Sequence, residues 1–445
     1  MIPFPRPAQW RRRLPAGTRI SGPCARVALV AVVAVVAGGG ALSACSSDEA
    51  ERAAPPAGVA SSETIASSSA PQTSSPTSQP ETAPAVQLPA TRREQLASLL
   101  MPGVVNYDDA LAKLKAGAGG IFITSWADPE LLRTPGRDIH ALRAAVGRDF
   151  DVSIDFEGGR VQRFSEILGD FPTPRDMAAG GTAEAERQGF AVGQILSAHG
   201  ITVDFAPVID LDGGGLNVVG DRSFSPDPAA AGELGAAFAR GLHNAGVRPV
   251  FKHYPGHGRA SGDTHQGMAT TPPLDQLVGY DLVPFDVALP QSPGAGVMVG
   301  HLVVPGLGDG VTPASLNNHA YGLLREHAGF RGLTYTDDLT GMKAITDQMS
   351  PEEAVTASLA AGADQALWST AVDFQIVLNH LEAAVDGGQL PPERVAESAL
   401  RVAESHTEPE PAPGAGPGAA PPRSSRRGRY MCHPRCPLTR PARLS

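Results

Sequence analysis

Cysteine is scarce in this sequence, and all of it lies towards the two ends. The 445-residue chain has 4 cysteines: Cys24 and Cys45 precede the region that could fold, and Cys432 and Cys436 follow it. Disulfides therefore play no role in stabilising the middle of the chain. Cys432 and Cys436 flank His433, but a structural zinc ion needs four ligands and there is no convincing second pair. The sequence thus predicts neither a metal centre nor a bound cofactor.

The apolar run near the start of the chain is too short for a spanning helix. It covers residues 27–36, follows arginines at positions 11–13 and 19, and precedes Leu42-Ser43-Ala44-Cys45, which resembles the bacterial lipobox. Such an arrangement is typical of a secretory signal, although the cysteine after it could stand there by chance. We predict that residues 1–45 are a lipoprotein signal peptide. Lipidation of Cys45 would anchor the exported protein on the outer face of the cytoplasmic membrane without spanning it.

Large apolar residues are almost absent from residues 46–91, which are mainly Ser, Pro, Thr, Ala and Glu. Such a segment cannot bury enough surface to offset its ordering entropy, so we predict a disordered tether. Residues 406–445 are rich in Pro, Gly and Ala and then basic, with no acidic residue from position 423 onwards. A tail that binds anionic polymers is one interpretation, but we favour a disordered or frameshifted terminus. Residues 92–405 remain as the single folded domain.

An overall excess of positive charge is also lacking. The formal net charge of the chain is -10 at pH 7. Proteins that bind nucleic acid usually carry a basic surface, so we predict no nucleic-acid partner.

The spacing of apolar segments decides whether residues 92–405 form one domain or two. Short apolar runs alternate with amphipathic stretches of helical period, which is the pattern of a parallel α/β fold. The predicted strands number eight, as a closed barrel requires: 99–105, 119–124, 152–156, 202–208, 248–253, 296–300, 332–336 and 364–368. Helices are predicted at 128–146, 183–199, 229–244 and 350–361. The fold class is therefore α/β, a single (β/α)8 TIM-type barrel with a disordered N-terminal tether and C-terminal tail. An open doubly wound sheet is the alternative, but no Gly-x-Gly-x-x-Gly follows the first strand.

Polar side chains collect where five of the predicted strands end. In chain order they are Asp155, Glu157, Asp210, Lys252, His253, His301, Asp337 and Asp338. The carboxyl ends of all strands in a parallel barrel open on one face, where catalytic loops converge. A single loop Asp or His is usually a cap or a solvated group, whereas five such strand ends indicate an active site.

Retaining hydrolysis of a glycosidic bond is one chemistry that this face could perform. It needs a carboxylate nucleophile and a separate acid/base. Asp337 and Asp338 are adjacent, so on a strand their side chains point to opposite sides and only one faces the substrate. Sugar hydroxyls would be held by directional hydrogen bonds to Asp155, Glu157, Arg163 and Lys252.

A metal-dependent barrel hydrolase is the competing interpretation. It is suggested by His253, His257, Asp263, His265 and His301. Barrels of the amidohydrolase type generally carry a His-x-His on the first strand, which residues 99–105 lack. Resistance of the activity to chelators would separate the two interpretations.

Six motifs together carry a resemblance to a known family. They are IDFEGGRVQRF (154–164), DFAPVID (204–210), GDRSF (220–224), KHYPGHG (252–258), GDTH (262–265) and TDDL (336–339). In this order, across nearly the whole middle region, they are similar to family 3 glycoside hydrolases, in particular the single-domain bacterial β-N-acetylglucosaminidases. The sequence departs from the family pattern at Phe156, Tyr254 and 340–342, and none of these changes removes a charged catalytic group.

The resemblance implies a role for each matching residue. Asp337 would be the nucleophile, and His265 the general acid/base, paired with Asp263. The sugar would be bound by Asp155, Arg163, Arg222, Lys252 and His253. Two-domain members of the family take their acid/base from outside the barrel. Here only a short tail follows the barrel, so the Asp263–His265 loop would supply it and would close on the substrate.

The resemblance also implies an activity. We expect a retaining exo-β-N-acetylglucosaminidase that acts, as a monomer, on terminal β-linked N-acetylglucosamine of carbohydrate or muropeptide fragments of the cell wall. A histidine acid/base does not repel an anion, so phosphate could replace water as acceptor. A β-glucosidase or β-xylosidase of the same family and a non-catalytic wall-binding lipoprotein are the alternatives.

Overall fold

The computed structural model describes residue 86 and residues 88–407 of the chain. The predicted signal peptide, the lipidation site Cys45, nearly all of the tether and nearly all of the basic tail lie outside these residues. Among the described residues, no helix combines the length and apolarity that spanning a bilayer requires.

Eight strands of the described region form one parallel sheet. They are β1 Leu100–Val104, β2 Gly120–Ile123, β3 Asp151–Ile154, β4 Val203–Asp204, β5 Arg248–Tyr254, β6 Gly296–Val299, β7 Thr334–Thr336 and β8 Ala366–Trp368. Each strand pairs with its neighbours in chain order, and β1 also pairs with β8. A parallel bridge between Tyr335 and Gln365 joins β7 to the start of β8 and closes the sheet. The predicted barrel is confirmed, and the open sheet is not what the chain forms.

All eight predicted strands exist, but two of them end at least two residues earlier than predicted. Strand β4 ends at Asp204 rather than 208, because Pro207 has no N–H to donate to a neighbouring strand. Pairing resumes as a single bridge between Val208 and Lys252. Strand β3 ends at Ile154, and Phe156–Gly158 instead pairs with Val161–Gln162 in a small antiparallel hairpin.

Fifteen α-helices of the described region surround the sheet or lie in its loops. They are α1 Arg92–Ser98, α2 Tyr107–Lys115, α3 Glu130–Arg133, α4 Ile139–Val146, α5 Ser165–Leu168, α6 Pro174–Ala178, α7 Gly181–Ala198, α8 Pro228–Asn244, α9 Leu274–Val278, α10 Val283–Ala288, α11 Asn318–Glu326, α12 Lys343–Thr346, α13 Pro351–Ala361, α14 Phe374–Asp386 and α15 Pro392–Ser405. Short 3-10 helices occupy Asp212–Gly214, Gly220–Arg222, Leu289–Gln291 and Ala314–Leu316. The predicted helices at 183–199, 229–244 and 350–361 are confirmed within two residues at each end.

The single helix predicted at 128–146 is wrong. The structure has two helices there, α3 and α4, separated by residues 134–138. Thr134 precedes Pro135 and is therefore pushed out of the helical region into an extended conformation, with ψ 105°. Gly136 adopts a positive φ of 84°, which side chains rarely tolerate, and the second helix restarts with Asp138 as its N-cap.

Aromatic side chains fill the interior of the barrel beneath its carboxyl end. Phe205 contacts Phe122 and Tyr335, with ring centroids 5.7 and 5.5 Å apart. Phe122 is in β2, Tyr335 is in β7 and Phe205 directly follows β4, so their rings can meet only inside the closed sheet. All three are at most 3% exposed. The barrel is therefore a packed core that ends below the catalytic face rather than a pore.

Candidate active site

A cavity of about 840 Å³ opens where the strands end. All eight of the predicted catalytic and sugar-binding residues line it: Asp155, Arg163, Arg222, Lys252, His253, Asp263, His265 and Asp337. Phe122, Met298 and Leu367 supply an apolar part of its wall. The structure thus gathers residues that are up to 182 positions apart in the chain, from 155 to 337, into one pocket.

Directly after β3, the carboxylate of Asp155 forms ion pairs with two cations, Lys252 and Arg163. Asp155 accepts hydrogen bonds from Lys252 Nζ through Oδ1 at 2.8 Å and from Arg163 Nη2 through Oδ2 at 2.6 Å. Burial opposes the ionisation of Asp155, but the positive charges of Lys252 and Arg163 hold its pKa below the ordinary range. Burial opposes the ionisation of Lys252, but the negative charges of Asp155 and Glu157 raise its pKa above the ordinary value. The three groups therefore stay charged and fixed in orientation.

Glu157 ties this cluster to the loop that follows β4. Its two oxygens accept from Arg222 Nε and Nη2 at 2.7 and 2.8 Å, which is the bidentate geometry of a strong charge-assisted pair. Lys252 Nζ lies 2.7 Å from the same carboxylate. Burial would raise the pKa of Glu157, yet Arg222 and Lys252 lower it to about 2. Because both oxygens are engaged, Glu157 orients the two cations that face the cavity.

Asp337 follows β7 directly and is only 7% exposed. Its N–H donates to Val299 of β6 at 3.1 Å, and its Oδ1 accepts from the Asp338 N–H at 2.9 Å. Burial would raise the pKa of Asp337, but His253, the Asp338 N–H and other neighbours hold it below the ordinary value of an aspartate. Asp337 is therefore an ionised carboxylate in the cavity wall, as a nucleophile has to be.

The neighbouring Asp338 accepts hydrogen bonds from the backbone of two loops. Its Oδ1 accepts from Thr340 N at 3.0 Å and from Ser369 N at 3.0 Å, which ties the β7 loop to the loop after β8. The two adjacent carboxylates thus have separate hydrogen-bond partners, although both residues line the cavity. That only one of them faces the substrate stays a prediction.

His253 is held by Asp210, a buried carboxylate six residues after β4. Asp210 Oδ2 lies 2.6 Å from His253 Nδ1, and Oδ1 accepts from the His257 N–H at 2.7 Å and the His253 N–H at 3.3 Å. Burial raises the pKa of Asp210, but the two histidines lower it to about 2. Since Nδ1 is bound to this carboxylate, Nε2 is the nitrogen that His253 has available for another partner.

His301, two residues after β6, connects a buried hydroxyl to the backbone next to Asp337. Its Nε2 lies 3.0 Å from the Asp338 carbonyl, which can only accept, so Nε2 carries a proton. Its Nδ1 lies 2.7 Å from Ser315 Oγ and, in the neutral ring, accepts from that hydroxyl. Burial lowers the pKa of His301, which keeps the ring neutral at pH 7. His301 thereby fixes the peptide that follows Asp337.

The predicted acid/base dyad lies on a loop that we call the flap, residues 261–270. His265 Nδ1 is 2.7 Å from Asp263 Oδ1, and the same oxygen accepts from the His265 N–H at 2.9 Å. The His265 side chain is 52% exposed and that of Asp263 is 31% exposed. Desolvation raises the pKa of Asp263, but the bonds from His265 lower it overall. Nδ1 is therefore committed to Asp263, and Nε2 remains free to carry a proton towards the cavity.

The sequence prediction of the site omitted several residues that hold it together. Asp210 was placed at a strand end without a role. His257 and His301 were predicted only as ligands of the competing metal-dependent site, and Ser315 was not predicted. A buried carboxylate opposite two N–H groups of a later motif could not be recognised before the fold placed them together. Among the described residues, no group of three or more His, Cys, Asp or Glu side chains is arranged to hold a metal ion.

Comparison with known proteins agrees with this geometry. The model of the "Glycosyl hydrolase family 3 N terminal domain" matches residues 91–405. The β-hexosaminidase LpqI of Mycobacterium tuberculosis (strain ATCC 25618 / H37Rv) is 45% identical over 333 residues, which are 73% of this chain and 84% of the relative. The crystal structure of a family 3 glycosyl hydrolase from Mycobacterium smegmatis is 45% identical with a TM-score of 0.68, covering 72% of this chain and 98% of that one. A family 3 β-N-acetylglucosaminidase from Paenibacillus sp. str. FPU-7 is 29% identical with a TM-score of 0.66, covering 75% and 65%. The chain belongs to glycosyl hydrolase family 3, as its motifs predicted.

Proposed function

We propose that this chain is a retaining, exo-acting β-N-acetylglucosaminidase in which Asp337 is the nucleophile and His265 the acid/base. Membership in family 3 and the β-hexosaminidases among its relatives make it a glycoside hydrolase of the β-N-acetylhexosaminidase type. The single observation that supports the mechanism best is that an ionised, buried Asp337 and the Asp263–His265 dyad line the same cavity.

In the first step, an oxygen of Asp337 bonds to the anomeric carbon while the bond from that carbon to the leaving oxygen breaks. His265 Nε2 gives its proton to the leaving oxygen, so the aglycone departs as an alcohol. Asp263 lies 2.7 Å from Nδ1 and stabilises the ring while it is positively charged. In the second step His265 takes a proton from water, the water oxygen bonds to the anomeric carbon, and the carboxylate of Asp337 is released.

The sugar-binding cluster would hold the terminal sugar during both steps. Lys252, Arg163 and Arg222 present fixed donors, and Asp155 presents acceptor oxygens, without the need to reorganise when the substrate arrives. The aromatic core formed by Phe122, Phe205 and Tyr335 fills the barrel below the cavity. A polysaccharide therefore cannot thread through the barrel and reaches the cavity only from the face where the strands end.

The exposure of the dyad implies that the flap moves during the reaction. His265 is about half exposed, whereas Asp337 is almost fully buried. Proton transfer requires the donor nitrogen to come within hydrogen-bond reach of the leaving oxygen. Closure of the flap over the bound sugar would bring Nε2 to that oxygen and exclude bulk water from the reacting bond.

Phosphate is a second acceptor that we propose for the same glycosyl-enzyme. After the first step the acid/base is a neutral imidazole, which does not repel an anion as a glutamate would. Attack by a phosphate oxygen would release the sugar 1-phosphate and restore Asp337. Adding inorganic phosphate is expected to raise turnover and to yield that product. Unchanged rate and product would restrict the enzyme to hydrolysis.

The setting that we propose is the cell envelope. The lipobox-like sequence ending in Cys45 and the Ser/Pro/Thr-rich segment after it support a monomeric domain tethered outside the cytoplasmic membrane, where muropeptide fragments occur. Metabolic labelling with a clickable fatty acid tests the anchor, because Cys45→Ser is expected to abolish the label and to release the protein into the medium. A label that survives this substitution would contradict lipidation at Cys45.

A covalent trap tests the proposed mechanism. A fluorinated N-acetylglucosaminide that forms the glycosyl-enzyme quickly and loses it slowly is expected to label one peptide, the one that contains Asp337. The variant Asp337→Asn is expected to form no adduct, while Asp338→Asn still forms it on Asp337. An adduct on Asp338, or none with any sugar tried, would refute the assignment. Rates on aryl β-N-acetylglucosaminide, β-glucoside and β-xyloside, measured side by side, separate the proposed specificity from that of the other family activities.

A further inference from the structure

The flap is attached to the barrel at its base by strand pairing. Ala269–Thr270 pairs in parallel with Leu302–Val303, which follows β6. The two ends of the flap are joined to each other because Ser261 N donates to Thr270 O at 2.8 Å and Thr270 N donates to Ser261 Oγ at 2.9 Å. This base fixes where the flap leaves the barrel, but it does not orient the tip that carries Asp263 and His265.

The residue between the two members of the dyad is buried. Thr264 is 2% exposed, although its neighbours Asp263 and His265 have side chains exposed by about a third and a half. Its hydroxyl donates to Met342 Sδ at 3.3 Å, and its carbonyl accepts from the Ala344 N–H at 3.1 Å. The middle of an otherwise exposed tip is therefore packed into the protein.

The partner of this buried residue is the segment that follows the nucleophile. Met342 and Ala344 stand five and seven positions after Asp337, and are 7% and 0% exposed. A second contact runs from Gln348 Nε2 to Met268 Sδ at 3.0 Å. The β7 loop, helix α12 and the residues just after it thus support the flap at two points, Thr264 in the tip and Met268 near the base. The same loop begins with Asp337.

We infer that Thr264 is a positioning residue, which sets the place of the His265 acid/base relative to the Asp337 nucleophile by docking the flap on residues 342–344. This inference rests on the proposed function. The dyad is rigid as a unit, because Asp263 Oδ1 accepts both the His265 N–H and its ring nitrogen and the Gln266 N–H donates to Asp263 O at 2.9 Å. Because the Asp263–His265 dyad is rigid and only Thr264 between them is buried, the position of Thr264 sets the position of the dyad.

A leaving-group series tests the inference, because protonation matters only when the leaving oxygen is basic. The value of kcat/KM reports the first step, which His265 assists for a sugar or phenyl aglycone and hardly at all for dinitrophenolate. For Thr264→Gly we expect kcat/KM to fall roughly tenfold to a hundredfold with the basic leaving groups, as for a misplaced catalytic group. With the dinitrophenyl substrate we expect kcat/KM to stay within about threefold of the wild type, since Asp337 and the sugar site are intact.

Three further variants make the result unambiguous. Thr264→Ser keeps the hydroxyl and is expected to recover most of the activity. Thr270→Gly makes the same substitution at an exposed position of the flap base and is expected to retain wild-type leaving-group dependence. Thr264→Val, which keeps the volume but not the hydroxyl, repeats the test if the glycine variant does not fold, as judged by its unfolding temperature.

Two outcomes would overturn the inference. Equal losses with both leaving groups would mean that Thr264 only stabilises the fold, and no loss would mean that the contact with Met342 does not position the dyad. His265→Ala, run in the same series, separates these outcomes from a failure of the proposed function. If His265→Ala loses activity only on basic leaving groups while Thr264→Gly does not, the positioning role of Thr264 alone is refuted. If His265→Ala shows no such selectivity, the acid/base assignment itself is refuted.

Discussion

Removal of the charge of Glu157 tests the physical basis of the sugar-binding cluster. The variant Glu157→Gln keeps the shape of the side chain but leaves Arg222 and Lys252 without their shared carboxylate. Glu157 is 1% exposed, and its pKa falls from 4.5 to about 2 in the folded protein. A difference of that size, at about 1.4 kcal/mol per pH unit, corresponds to about 3 kcal/mol of stability at neutral pH. Loss of one partner from a buried ion pair costs a similar amount, about 3–5 kcal/mol.

The assay is unfolding of the wild type and the variant by urea and by heat at pH 7. The expected loss of about 3 kcal/mol corresponds to a decrease in unfolding temperature of roughly 4–5 °C for a domain of this size. Glu184→Gln is the matched control, because Glu184 pairs with Arg187 on an exposed helix face, where ion pairs contribute little. If Glu157→Gln unfolds within the range of this control, the carboxylate does not hold the two cations.

The pH dependence of the same difference provides a second check. The pKa of Glu157 is depressed on folding, so the stability that it contributes is fully present above its unfolded pKa of about 4.5 and is lost as pH falls towards 2. The stability gap between the wild type and Glu157→Gln is therefore expected to narrow as pH decreases below about 4.5. A gap that stays constant down to the acid unfolding limit would contradict the ionic origin of the effect.

Two further predictions concern the catalytic carboxylate and its surroundings. As the proposed nucleophile, Asp337 has to be ionised, and its pKa lies below the ordinary 3.8 partly because of His253, so activity is expected to fall on the acid side only as pH passes below that value. The variant His253→Gln is expected to move the acid limb of the kcat/KM profile to higher pH. An acid limb that does not move would contradict this. Ser315→Ala removes the hydroxyl that donates to His301 Nδ1, 2.7 Å away, so the Asp338 carbonyl loses the fixed orientation of its hydrogen-bond donor, His301 Nε2. We therefore expect kcat to fall severalfold while KM stays nearly unchanged. An equal rise in KM would instead place His301 in substrate binding.

The sequence could predict that the candidate site residues share one cavity, because parallel barrels convert chain position into spatial position. Asp155, Lys252 and Asp337 all follow strands, and the carboxyl ends of these strands share one face whatever the intervening helices do. No distance had to be known to expect them together. The motifs with Gly and Pro around them also mark the places where the chain leaves a strand, which is why the predicted strand positions agree with the observed ones.

The parts that sequence reasoning missed depend on contacts between distant segments. The hydrogen bond from Ser315 to His301 and the contact of Thr264 with Met342 each join two loops whose relative path is set by packing. The sequence of neither loop contains a periodic pattern that identifies the residue it contacts in the other loop. The error at 128–146 is different, because Pro135 and Gly136 gave a local signal for a break that the amphipathic pattern outweighed.

The roles that we propose for Asp337 and His265 would explain why the two halves of the site differ in exposure. Asp337 has to be ionised and oriented before the sugar arrives, which buried partners such as His253 provide at the cost of mobility. His265 has to give up a proton and recover it in each cycle, and it has to let the aglycone leave, which an exposed loop allows. A mobile acid/base is useful only if it returns to one position. The contact of Thr264 with residues 342–344 meets that requirement, because these residues belong to the segment that follows Asp337. Any shift of Asp337 therefore also moves the site on which the His265 loop docks.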